Sequence, residues 1–198
     1  LVRLQGLISS HNSELQQNRA EMIQQSRLYH QIVASVNARL QVGTTPGNPE
    51  LIAQWNQAQG ELDKLDASIA KLNRLTTSTA SDASMATYLL DSTRAAYSLS
   101  GAVDEDHRQL AILEDEINRT VVLIERLLNE LSEDLQRQNN YLSGERRNLQ
   151  LMSVAVKNGE LYGPSLYNRP FVSMAPNAMS PAAASAAGTP APQPQAPG

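Results

Sequence analysis

The chain has 198 residues, of which 41% are hydrophobic and only 4% aromatic, so any core must be built from Leu, Ile, Val, Met and Ala. A net charge of −4, with 16 Lys and Arg scattered along the chain, offers no basic stripe to neutralise phosphates and argues against nucleic acid as a partner. Cysteine is absent, which removes disulfides, thiolate metal sites and thiol nucleophiles, and the longest apolar run, Val121 to Ile124, is far shorter than the ~20 residues of a membrane-spanning helix.

From Leu1 to Gln41, the residues Leu1, Ile8, Leu15, Met22, Tyr29 and Val36 recur at heptad spacing and form one apolar stripe along a helix. The companion stripe is mixed: Leu4 and Ile32 alternate with His11, Asn18, Gln25 and Arg39. A narrow, partly polar seam follows, so this helix is expected to be the least firmly packed and able to detach or to serve another chain. At such a position His11 sets register at some cost in stability.

Gly43, Thr44, Thr45, Pro46 and Gly47 then read as a loop, and Asn48-Pro49-Glu50 supplies a capping residue, a first-turn proline and an early acid. A second helix is expected over 50–99. Trp55, Leu62, Ile69, Thr76, Ala83, Leu90 and Tyr97 share one heptad position, and Leu51, Ala58, Leu65, Leu72, Thr79, Ala86 and Thr93 the next. Thr76 to Ser84 is rich in Thr and Ser, which on propensity alone suggests a loop. A loop has no reason to preserve a heptad phase, however, and the phase agrees on both sides. The helix is therefore read as continuous, with a thin layer of small residues near its middle.

Ser98-Leu99-Ser100-Gly101 reads as a helix end, and Asp104-Glu105-Asp106 places negative charge where a third helix, 103–157, begins. Val121, Leu128, Leu135, Leu142, Leu149 and Val156 mark one stripe of that helix, with Ile124, Leu131, Gln138, Glu145 and Met152 beside it. Leu110, Leu113 and Ile117 fall in a frame offset by four residues, so a stutter is expected upstream of Val121. A buried carboxylate at Glu145 calls for either an open seam or a cation from a partner, and this level is where the rod is expected to become two-stranded. Arg146, Arg147 and Lys157 suit the C-terminal end of the dipole, and Asn158-Gly159 is a stop signal.

The expected fold is all-α: three long helices in an antiparallel coiled-coil-like rod or bundle spanning 1–159, roughly 60 to 80 Å long at ~1.5 Å per residue. An aromatic-containing extended segment follows over 160–174, then a disordered Pro/Ala-rich tail or linker over 175–198.

Few residues suggest chemistry. Asp104 and His107 lie one turn apart, as metal ligands can, but acids at a helix start are explained by the dipole alone, so no metal or cofactor is expected. His11, His30 and His107 are far apart in sequence, and none pairs with a recognisable nucleophile. Asn118-Arg119-Thr120 matches a glycosylation acceptor but sits mid-helix. The candidate partner-binding residues are Leu161, Tyr162, Leu166, Tyr167, Arg169 and Phe171. Three of the chain's eight aromatic residues stand here beside an arginine, a composition suited to a docking peptide. The competing reading is that Leu161, Leu166 and Phe171 fold back onto the end of the bundle.

These features point away from an enzyme and toward a structural or tethering coiled-coil protein that acts as a spacer and protein–protein scaffold, itself a possible homo-oligomer. The Pro/Ala-rich tail and the absence of a methionine at position 1 suggest the bacterial cell envelope or periplasm, with an anchor upstream. The alternative is a cytoplasmic adaptor or secretion-system component that presents the 160–172 peptide.

Overall fold

The computed structural model describes residues 1–97 and 104–161. They form three helices, α1 (Val2–Val42), α2 (Pro49–Ala96) and α3 (Asp104–Asn158), with no strand among them. Cross-helix bonds set the topology. His11 meets Asp82 and Glu21 meets Lys71, so α1 and α2 are antiparallel. Trp55 meets Leu149 and Arg94 meets Glu114, so α2 and α3 are antiparallel. Arg19 meets Asp134 and Ser26 meets Tyr141, so α1 and α3 run in parallel. The three helices form the expected antiparallel bundle, and α2 packs on both neighbours far more extensively than α1 and α3 pack on each other.

Local chemistry explains the elements. The Asn48 side chain accepts from the Glu50 N–H at 2.9 Å with Pro49 in the first turn, a cap that fixes where α2 begins. In α2 all of Leu51, Ala58, Leu65, Leu72, Thr79, Ala86 and Thr93 are buried. The helix is unbroken through Thr76–Ser84, because the hydroxyls of Thr76, Thr77, Thr79 and Ser84 are spent on carbonyls one turn back and do not compete with the helix. α2 ends at Ala96 rather than 99, and the expected cap at Ser98–Gly101 lies outside the described residues.

Two expectations need correction, both on α3. The polar stripe of α1 faces α2. His11 and Asn18 are buried, the Asn18 amide donates to the Ser68 carbonyl at 2.9 Å, and Ser68 Oγ donates to Gln25 at 3.2 Å. α2 partners the Asn18 amide nitrogen and His11, while Asn18 Oδ1 is buried without a hydrogen-bond partner among the described residues.

The stutter lies elsewhere. Burial in α3 runs without interruption through Ile117, Thr120, Ile124, Leu127, Leu131 and Asp134, in phase with Leu110 and Leu113. The shift falls between Asp134 and Leu142, where Tyr141 turns toward α1 and Leu142 enters the core. Val121, Leu128 and Leu135 flank the seam, half-buried.

Glu145, finally, does not mark the end of α1. It is 6% exposed and stands beside Tyr29, whose hydroxyl donates to the Glu145 carbonyl at 3.2 Å, while its carboxylate accepts from Asn148 at 3.2 Å. The bundle is three-stranded at this level. The Arg19–Asp134 and Ser26–Tyr141 pairings put Leu1 level with about residue 116 of α3.

Candidate interaction sites

The end of the bundle from which the tail departs is locked by backbone rather than by side chains. Gly159 closes α3 with φ of 78°, a left-handed conformation that terminates the helix. Its carbonyl accepts from the Thr44 N–H at 2.8 Å, and the Gly47 N–H reaches the Val156 carbonyl at 3.2 Å. The α1–α2 loop thus bonds the last turn of α3, and a Cβ on Gly159 would fall 2.3 Å from the Thr44 carbonyl oxygen. Leu161 leaves this lock half-buried and packs against the core. Of the six candidate partner-binding residues it alone is described. Tyr162, Leu166, Tyr167, Arg169 and Phe171 lie outside the described residues.

Along the rod, polar side chains cross between helices at several levels. His11 Nε2 lies 2.9 Å from Asp82 Oδ2 and 3.4 Å from Ser78 Oγ. The residue types are those of a hydrolase triad, but both partners approach the same ring nitrogen. The three side chains form a polar cross-link between α1 and α2.

Arg19 Nε donates to the buried Asp134 at 2.6 Å and its Nη2 reaches Glu130 at 3.4 Å, while Arg137 also pairs with Asp134. The hydrogen bond to Asp134 holds the Arg19 guanidinium above its ordinary pKa, against a smaller opposing effect of burial. Asp134 was invisible as a seam residue in the sequence. It occupies the heptad row of Leu113, Thr120 and Leu127, a signal outweighed by the apolar Leu135 beside it.

Further along, Tyr141 bonds Ser26 at 2.7 Å and His30 Nε2 at 2.9 Å. Burial raises the Tyr29 phenol well above its usual pKa, and burial also raises Tyr141, to about 12, with the Glu145 charge adding to both. A phenol whose folded pKa lies above the unfolded value of about 10 contributes stability that is fully present below pH 10 and lost as pH climbs through the folded value. Phenylalanine at both positions is therefore expected to make the fall in stability between pH ~10 and ~12 shallower, read as urea midpoints against pH. An unchanged slope would refute the coupling.

α1 and α3 diverge toward the N-terminal end of α1, leaving a groove of about 780 Å³ with Ile8, Thr120 and Leu127 among its lining residues. Its rims carry Gln5, Ser9, Asn12 and Gln16 on α1, and Glu116, Arg119, Arg126 and Glu130 on α3. Among the described residues no group of three or more His, Cys, Asp or Glu is placed to hold a metal, and no helix is long and apolar enough to cross a membrane. Asp104, Glu105 and Asp106 form the exposed first turn of α3, and the His107 ring lies 6.0 Å from that of Tyr97. Thr120 of the glycosylation triplet is buried, with its hydroxyl bonded to the Glu116 carbonyl. No protein-family model, no curated protein and no solved structure matches the chain.

Proposed function

We propose that the chain is a non-enzymatic structural or tethering protein of the bacterial cell envelope, in which a helical rod serves as spacer and scaffold and the tail reaches a protein partner. The observation that carries this reading is the rod itself. Three long helices are tied side by side by polar bonds at successive levels, and the 55 residues of α3 span about 80 Å. Such a body holds its two ends a fixed distance apart, and the locked Gly159 gives the sequence beyond it a defined point of departure. The Pro/Ala-rich composition after residue 175 suits a semi-extended linker of the kind that joins envelope domains.

Fractionation of the native cells tests the setting, and deletion of 160–198 tests the tether. The full chain is expected with the envelope fraction. The truncated chain is expected to keep its helical circular dichroism but to lose co-purification with its partner. Recovery of the full chain in the cytosol would favour the adaptor reading. Unchanged co-purification after truncation would remove the tail from the mechanism altogether.

A further inference from the structure

The groove between the first part of α1 and α3 has an apolar floor of Ile8 and Leu127, and Leu123 on its wall is 53% exposed. The arginines of its rim are already matched: Arg119 pairs with Asp115, and Arg126 with Glu130, which leaves Glu116 exposed to solvent. The α1 rim is uncharged, and the side-chain amides of Gln5, Asn12 and Gln16 form no hydrogen bond among the described residues. Amides both donate and accept, so this rim suits an extended backbone whose own N–H and C=O groups are unpaired. An acidic occupant would find no unmatched cation there and would give up water. An uncharged segment with a few long apolar side chains fits.

The chain itself supplies such a segment. Past Arg169 it has no charged residue, and past Ser173 its long apolar side chains are Met174 and Met179. Both lie outside the described residues, but their reach is set by the lock at the other end of the rod. Gly159 is level with Thr44, and Gln16 and Gln5 lie about 42 and 58 Å from there along α1. At no more than about 3.6 Å per residue, the chain beyond Leu161 spans at most ~36 Å by Phe171, ~47 Å by Met174 and ~65 Å by Met179. The aromatic segment therefore falls short of the groove, whereas residues 174–179 can span it from the level of Gln16 to that of Gln5. Methionine adapts to irregular apolar surfaces, and the covalent tether keeps the segment near the groove at ~mM effective concentration.

We infer that residues 174–179 of the chain's own tail lie in the groove between α1 and α3 and strap the two helices together where they diverge. The strap runs back along the rod from the lock at Gly159, antiparallel to α1 and α3. It covers Leu123 and supplies the α1 amides with backbone partners. This inference does not rest on the tethering reading, since it concerns what the groove holds; a partner that captured this part of the tail would have to displace it from the groove.

A nitroxide attached at Ser180→Cys, the single thiol of an otherwise cysteine-free full chain, tests this through its effect on backbone amide signals. It is expected to broaden Ser9, Asn12 and Leu123 strongly while sparing Ile52 and Leu151 at the lock end of the rod. Leu123→Glu, an exposed substitution, is expected to cut that broadening about fivefold, and Met174→Ser with Met179→Ser, outside the helices, to do the same. Mixing the nitroxide-bearing chain with an isotope-labelled chain that carries none separates a chain's own tail from that of a second copy: broadening is expected within one chain and not between chains. Absence of selective broadening at the groove, broadening indifferent to both sets of substitutions, or broadening passed between chains would each overturn the inference.

Discussion

Replacing Tyr29 by alanine is expected to lower the stability of the bundle by about 4 kcal/mol, the largest loss of any single truncation in α1. Tyr29 is the bulkiest fully buried side chain among the described residues. Truncation removes its packing, leaves a cavity, and removes the hydroxyl's bond to the Glu145 carbonyl. Position adds to the effect. α1 and α3 touch sparingly, and the groove lined by residues from Gln5 to Gln16 separates them along the first part of α1. Their contact is concentrated at the Arg19–Asp134 pair and at the cluster of Ser26, Tyr29, His30, Tyr141 and Glu145. Without Tyr29 the second of these opens, and α1 is held chiefly through α2. Thermal melting should move down by roughly 10 °C for a chain of this length. Tyr29→Phe separates the terms: it keeps the ring and should lose only about 1 kcal/mol. Equal losses for the two variants would show that the hydroxyl, not the packing, carries the effect.

The helices and most of their seams were legible because they rest on periodicity. The phase of Leu51, Leu65, Thr79 and Thr93 predicts a continuous α2 through a stretch whose propensities argue for a loop, and all four residues are buried. What periodicity does not encode is how a helix with two neighbours divides its faces. Val121, Leu128 and Leu135 are the more apolar row of α3, yet Thr120, Leu127 and Asp134 are the more buried. The reason is non-local: Asp134 is tolerated in the interior only because Arg19, on another helix, reaches it. Glu145 shows the same limit. Its carboxylate accepts a hydrogen bond from Asn148 within its own helix, so neither an open seam nor a cation from another chain is needed.

Which ends of α1 and α3 are level was not legible in the sequence. The bonds between Thr44 and Gly159 and between Gly47 and Val156 set this, and they are backbone contacts with no side-chain signature.

The second large effect is expected at that same lock. Gly159→Ala should destabilise the bundle by about 2–3 kcal/mol, a loss too large for an exposed helix terminus and explained by two separate costs. An L-residue is strained at φ of 78°, worth about 1 kcal/mol. The new Cβ would also stand 2.3 Å from Thr44 O and 2.9 Å from Pro46 N, both backbone atoms that cannot swing aside as a side chain does. Relief requires the α1–α2 loop to lift off the end of α3, which breaks the Thr44 N–H bond to the Gly159 carbonyl. Gly43→Ala is the control: Gly43 also has positive φ, at 86°, but its Cβ would meet nothing within 4 Å, so it should show the conformational cost alone. Hydrogen exchange distinguishes the two. Gly159→Ala should release the amides of Thr44 and Gly47 together, whereas Gly43→Ala should leave them protected. If both variants lose the same stability and the same protection, the close approach of loop and helix is not what fixes this end of the rod, and the departure of the tail from a defined point loses its physical basis.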